Sequence, residues 1–344
     1  MSPPLVAVVV LNWNGLADTR ACVRSVLAQT HAAFEVWVVD NASGHCEADA
    51  LEREFGGRIV LLRSAENLGF AGGCNLALER ILADGRARYI ALLNNDAVAD
   101  PRWLESLVAA LEGSPRAGSA ASRMVLFADP GRIENTGILV LSNGDAVPRG
   151  RGEPASRWDA PGRVIGPCGG AALWRAGVLR EIGLFRPDFF VNFEDVDLAL
   201  RARACGQDCV YVPGALVRHK LSVSVKKARD DAFDARALRN LSWAYCVNMP
   251  WQVIVLNLPW LVVCNLVVVL VAPIFGQMRV ASLSLRGRWL AFSERGRMRE
   301  ERRRLAPARK GSWLALWLMQ RSFVRSYARF FWEGVVLRRR KFMQ

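Results

Sequence analysis

The chain has 344 residues, 52% of them hydrophobic, which excludes a small scaffold stapled by disulfides and provides for one large domain or two smaller ones. Its net charge of +14 would suit a nucleic-acid binder, but residues 279–344 hold 18 Lys plus Arg against 4 Asp plus Glu, and the rest of the chain is balanced. A basic excess confined to the end of the chain, behind a long uncharged run, argues for a membrane surface and against nucleic acid.

In chain order, "LVAVVVLNW" (5–13) is a continuous β-branched run, as in a strand buried on both faces of a parallel sheet. No basic n-region precedes it, so no signal peptide is expected and the N-terminal part is placed in the cytoplasm. A helix over 18–29, the strand "FEVWVVD" ending at Asp40, a helix over 46–55, the strand "RIVLLR", a helix over 72–82 and the strand "YIALLNND" follow. This alternation predicts an α/β fold with a mostly parallel, doubly wound sheet. Polar residues recur just past the strand ends: Asn12 and Asn14, Asp40 and Asn41, Asn67, and Asn94 to Asp96. In such sheets that rim is where ligands bind. The loop "ENLGFAGGCN" carries Gly69, Gly72 and Gly73, which let a backbone approach a phosphate at a helix N-terminus. Its spacing is not GxGxxG and it follows the third strand, so a nicotinamide site is disfavoured.

In the second half, the polar stretch 156–163 predicts a mobile loop over the site, and Gly169 and Gly170 precede a predicted helix. Phe189, Phe190 and Phe193 lead into "EDVDLALRAR", whose Glu194, Asp195 and Asp197 suit a helix N-terminus. Capping is enough to explain Asp197, whereas an adjacent Glu194 and Asp195 behind aromatics predict a working carboxylate. His219 closes the strand-like "CVYVPGALVRH". Eight cysteines without CxxC spacing read as free thiols in a reducing compartment.

Residues 240–278 contain no Asp, Glu, Lys or Arg and reach the length of a bilayer span. Pro250, Pro259 and Pro273 punctuate the run, Asn257 and Asn265 lie inside it, and a single crossing would export the basic tail. The expectation is therefore helices in the interface or a re-entrant hairpin, with Trp243, Trp251 and Trp260 at headgroup level; a true span is the alternative. The runs 295–310 and 322–342 mix Arg with aromatics and predict amphipathic surface helices, each basic residue near an anionic leaflet adding about 1 kcal/mol of attraction. The expected division is 1–239 for the catalytic or binding domain and 240–344 for a membrane-associating helical region.

The ordered set "VVVLNWNG", "VVDNAS", "NLGFAGGCN", "LLNNDA", "GGAALWR", "FEDVDLALRAR" and "VRHK" resembles the inverting family 2 glycosyltransferases of GT-A fold, within them the bacterial rhamnosyltransferase-like branch. The resemblance covers about residues 5–225. It implies transfer of a sugar, rhamnose by best match, from a nucleotide-diphosphate donor to a lipid-linked or polysaccharide acceptor; the missing n-region and the basic tail set the expected location at the cytoplasmic face of the inner membrane. Asp96 matches the last acid of the family's metal motif and His219 its later histidine ligand, for Mg²⁺ or Mn²⁺ bound with the donor diphosphate. Asn94 and Asn95 stand where the motif is often acidic, so the protein supplies few ligands. By the same resemblance Asn12, Asn14, Asp40, Asn67, Gly69, Gly72, Asn75 and Asn95 lie on the donor side, and Gly169, Gly170 and Phe193 on the acceptor side. Asp195 is the implied base, with Glu194 second. The competing reading is a membrane-tethered, non-catalytic carbohydrate-binding or scaffold protein whose metal site has decayed.

Overall fold

The computed structural model describes residues 3–220 and 230–324. Strands β1 (Val6–Asn12), β2 (Phe34–Asp40), β3 (Val60–Arg63) and β4 (Tyr89–Leu93) are joined by helices α1 (Leu16–Leu27), α2 (Glu47–Phe55) and α3 (Gly69–Asp84). They lie parallel in the spatial order β4-β1-β2-β3, as the alternation predicts. Successive side chains of a strand face opposite sides. Accordingly Val6, Val8 and Val10 pack with α1 and α2, while Ala7 and Val9 pack with α3. In-register pairing sets Asn12 beside Asp40, which gathers polar residues at the carboxyl ends of the strands.

The chain continues through β5 (Ala97–Ala99), α4 (Trp103–Glu112), β6 (Ala117–Leu126), β7 (Ile133–Asn135), the hairpin of β8 (Ile138–Val140) and β9 (Ala146–Pro148), and β10 (Gly162–Val164). It then forms β11 (Ala171–Arg175), α5 (Ala176–Ile182), α6 (Glu194–Ala204) and β12 (Asp208–His219). The main sheet runs β10-β12-β6-β11-β4-β1-β2-β3, with β5 on β12 and β7 on β6. Where the sequence suggests a helix directly after Gly170, the structure has β11, antiparallel to both β4 and β6. Ala171 to Trp174 are buried between two strands, and that context overrides the helical preference of "AALW". The stretch 156–163 is tied down, which corrects its reading as a mobile loop. Trp158 lies under Arg149 and its carbonyl accepts from Tyr211 at 2.7 Å, Asp159 pairs with Arg123 at 2.7 Å, and Gly162 opens β10.

Beyond β12 come α7 (Asp231–Asn248), α8 (Trp251–Val271), α9 (Met278–Ser293), α10 (Arg295–Leu305) and α11 (Trp313–Met319). Residue 240 lies within α7. These helices join the domain through α6, which has two apolar faces. Leu198 and Ala202 meet the sheet side, while Val196, Ala199 and Leu200 meet Trp243, Val247 and Val253. Trp243 is therefore wholly buried, against the expectation of a headgroup position, and Arg186 and Arg239 stack on it. Trp251 and Trp260 are exposed.

Pro259 lies inside a continuous α8, so the run is less interrupted than its prolines suggest. Trp251–Phe275 is long and apolar enough to cross a membrane. One face of α8 is nevertheless seated on protein: Asn257 donates to Tyr245 at 2.9 Å and Gln320 at 2.8 Å, and Leu261 packs at Gly144. Val255, Leu258, Val262, Leu266 and Leu270 face outward. Part of the basic run serves a structural purpose: Arg302 donates to the carbonyls of Cys246 and Met249, and Arg309 to that of Asn248, satisfying the open end of α7. From residue 325 onward the second basic run lies outside the described residues.

Candidate active site

The rim of the sheet holds a cavity of about 370 Å³ walled by Leu11, Trp13, Asn41, Asn67, Gly69, Phe70, Asn95, Phe190, Val191 and Phe233. Beside it, the loop after β4 and the end of β12 bring Asp96 and His219 together. His219 Nε2 is 3.0 Å from Asp96 Oδ1, and both residues are buried. This meeting follows from β5 pairing with β12, which aligns Ala97 with His219. Asn94 Nδ2 lies 3.3 Å from the same ring nitrogen. The other ring nitrogen, Nδ1, faces Glu134 Oε2 at 3.5 Å, an ion-pair separation without an aligned hydrogen bond. Burial disfavours a charged imidazole here, but the hydrogen bond and charge of Asp96, with Glu134 behind, outweigh it and raise the His219 pKa to about 10.

Asp195 is linked to this pair through a run of close contacts. The Asn94 amide N–H donates to the Gly170 carbonyl at 2.9 Å, and the Gly169 N–H donates to Asp195 Oδ2 at 2.9 Å. A Cβ on Gly170 would sit 3.0 Å from Asn94 Nδ2, and one on Gly169 would sit 3.4 Å from both Asp195 and Phe70, so the glycines allow the loops to close up. Asp195 Oδ1 accepts from the Val196 N–H at 2.8 Å. Burial raises the Asp195 pKa, and these backbone donors offset that rise only in part. Glu194 differs: it is buried and its Oε2 has no hydrogen-bond partner. Burial first, then the neighbouring Asp195 charge, pushes the Glu194 pKa well above the carboxylate range.

The family model described as "Glycosyltransferase like family 2" matches residues 3–246. The chain belongs to that family. An uncharacterised protein of Sinorhizobium fredii, y4gI, is 32% identical over 252 residues, which is 68% of this chain and 26% of that protein. The O-antigen biosynthesis protein RfbC of Myxococcus xanthus is 29% identical over 248 residues, 67% of this chain and 18% of the relative. The chain thus spans about a quarter or less of the length of these two relatives. The solved structure of GalNAc-T7 with UDP, GalNAc and Mn2+ superposes with a TM-score of 0.57 at 16% identity, over 71% of this chain and 48% of that one. That likeness is one of fold, and it is the GT-A fold implied by the motifs.

Within this family 2 glycosyltransferase, the residues expected on the donor side divide into two groups. Asn67, Gly69 and Asn95 are in the cavity wall, joined by Asn41, which donates to Asn67 Oδ1 at 2.9 Å. Asn12, Asn14 and Asp40 are outside it and bind one another's loops. Asn12 Nδ2 donates to Asp40 Oδ1 at 2.8 Å, Asp40 Oδ2 accepts from the Ser43 N–H at 3.2 Å, and Asn14 Oδ1 accepts from the Gly44 N–H at 2.8 Å. Their place is to shape the rim. Asn75 is also outside the wall: its amide is closed on the backbone of Phe185, at 2.8 and 3.2 Å. Gly72 is buried in α3, where a Cβ would meet Leu68 at 2.8 Å. Phe193 precedes α6 in the left-handed region, φ 66°, and its aromatic side packs toward the C-terminal helices.

Asp96 and His219 fit a divalent ion as two converging ligands, and Glu134 sits where a carboxylate would fix the imidazole from behind. Among the described residues no group of three or more His, Cys, Asp and Glu converges on one point. An ion held by this pair would need further oxygen ligands from outside the cluster. Glu134 and Phe233 are among the neighbours that sequence reasoning misses. "RIENTG" carries no motif signal, and Phe233 reaches the rim from a helix that follows it by more than a hundred residues.

Proposed function

We propose that the chain is an inverting glycosyltransferase that moves a sugar from a nucleotide-diphosphate donor to a lipid-linked or polysaccharide acceptor in cell-surface glycan synthesis. The observation that carries this is the contiguity of the Asp96–His219 pair and Asp195 through Asn94, Gly170 and Gly169 beside one cavity. The RfbC relative, named for O-antigen biosynthesis, supports the assignment to surface glycans. Asp96 and His219 hold Mg²⁺ or Mn²⁺ in this reading, and the bound ion supplies neutralising charge to the departing diphosphate. Asn41, Asn67 and Asn95 offer neutral donors and acceptors to the donor, while Trp13, Phe70 and Phe190 exclude water. Asp195 Oδ2 or Oδ1 accepts the proton of the attacking hydroxyl, and displacement from the opposite face inverts the anomeric centre.

The test is nucleoside diphosphate release from a panel of nucleotide sugars, deoxythymidine-diphospho-rhamnose first, with a divalent ion and with or without a lipid-linked saccharide. Acceptor-stimulated release with one donor is expected; no release with any donor would defeat the assignment.

The outward apolar face of α8, with Trp289 and Phe292 exposed on α9, is assigned to the cytoplasmic leaflet of the inner membrane. Because the opposite face of α8 is seated on Tyr245 and Gly144, the helix lies along the surface in this reading. The full chain should float with vesicles containing phosphatidylglycerol, and Val262→Lys with Leu266→Lys should cut the floated fraction about tenfold, since each places a charge in the apolar layer. Flotation that ignores both changes would contradict this placement.

A further inference from the structure

The loop between α5 and α6 is held from two sides, and one of them is the C-terminal region. Asn240 of α7 is wholly buried. Its Nδ2 lies 2.8 Å from the Phe189 carbonyl oxygen, 3.0 Å from that of Asn192 and 3.3 Å from that of Val191. Three residues of this short segment, Phe190, Asn192 and Phe193, have φ of 60°, 72° and 66°. Such left-handed backbone in non-glycine residues persists only where the surroundings over-determine it. On the other side, the Phe190 carbonyl accepts from the Ala71 N–H at 3.1 Å, and a Cβ at Gly69 would come within 2.3 Å of that oxygen. The segment is consequential for the site at both ends: Phe190 and Val191 wall the cavity, and Phe193 leads directly into Glu194 and Asp195. Phe233, from the first turns of α7, completes the same wall.

We propose that Asn240 is a positioning residue of the transfer reaction, clamping the backbone of 189–192 so that the cavity wall and Asp195 stand in register. The C-terminal helices are then part of the active site as well as an attachment. The proposal rests on the glycosyltransferase reading for its kinetic consequence, but the clamp itself is open to direct measurement.

Asn240→Ala is compared with Asn257→Ala, which removes an equally buried amide whose partners, Tyr245 and Gln320, are away from the loop. Hydrogen exchange is read on 187–193, and donor KM and kcat are read separately. Asn240→Ala should speed exchange in that segment, raise donor KM and lower kcat by about 10²-fold, the cost of a misplacement near 1 Å, while Asn257→Ala at comparable thermal stability stays within about twofold. If Asn240→Ala does not fold, Asn240→Ser, which keeps one donor, carries the same comparison. Unchanged exchange in 187–193, or kinetics that track those of Asn257→Ala, overturns the proposal. A wild-type chain that turns over no donor strikes the functional reading alone; faster exchange confined to 187–193 in Asn240→Ala would still support the clamp.

Discussion

Asp195→Asn is expected to lower kcat by about 10²- to 10⁴-fold, the usual range for removing a positioned general base, with donor KM little changed. The reason lies in how the two adjacent acids differ. Asp195 is held by the N–H groups of Gly169 and Val196, which favour its ionised form, and it lies on the side of Asn94 and the Asp96–His219 pair. Glu194 is buried with one oxygen unpartnered, and its raised pKa keeps it protonated when Asp195 is charged. Glu194→Gln should therefore cost less than about tenfold in kcat, because it replaces a neutral group by a neutral group of the same shape. The pH dependence of stability gives an independent check. A carboxyl whose folded pKa is raised contributes stability below its unfolded pKa and loses it as pH rises through the folded value. Wild type should then lose thermal stability between mildly acidic and alkaline pH, and Glu194→Gln should flatten that fall. A Glu194→Gln enzyme that is inactive beside an active Asp195→Asn would reverse the two roles. Loss of transfer in Asp195→Asn with donor binding intact would also exclude a non-catalytic carbohydrate-binding scaffold.

The parallel half of the sheet was legible because each of its strands is an apolar run bounded by polar residues, and in β1 and β4 burial on both faces leaves little choice of structure. Asn67, Gly69 and Asn95 were legible for the same reason: strand ends in such sheets make the rim. The antiparallel β11 was not, since "AALW" carries no β signal of its own and becomes a strand only between β4 and β6. Trp243 was misplaced because an uncharged run looks equally suited to lipid and to a core, and only the second apolar face of α6 decides between them. The hydrogen bonds that join Asn12 to Asp40 and close Asn75 on Phe185 carry no sequence signal, because sequence shows where a polar side chain stands but not which neighbour takes up its hydrogen bonds. Glu134 gave no signal at all, because its meaning comes from β7 pairing with β6 next to His219, a contact across 85 residues of chain.

Asp96→Ala and His219→Ala should each weaken Mn²⁺ binding in the presence of nucleoside diphosphate by at least about tenfold, with turnover falling in step, and the double change should be scarcely worse than the poorer single one. Near-equivalence is expected because, among the described residues, these are the two converging ligands, so losing either leaves a site that a cation cannot share between protein and diphosphate. Glu134 provides the graded case. Its carboxylate faces His219 Nδ1 at 3.5 Å, on the side of the ring opposite the Nε2 that meets Asp96. Glu134→Gln keeps an acceptor for the ring but removes a negative charge, and Glu134→Ala removes both. The expected order of Mn²⁺ affinity, read from the free-ion signal in electron paramagnetic resonance, is wild type, then Glu134→Gln, then Glu134→Ala, then His219→Ala. Such an order requires the histidine to be a ligand and the glutamate to act through it. Mn²⁺ affinity indifferent to Asp96 and His219 would move the cation elsewhere and detach the metal from this pair, whereas indifference to Glu134 alone would leave the two ligands in place and make Glu134 a buried charge of purely structural effect.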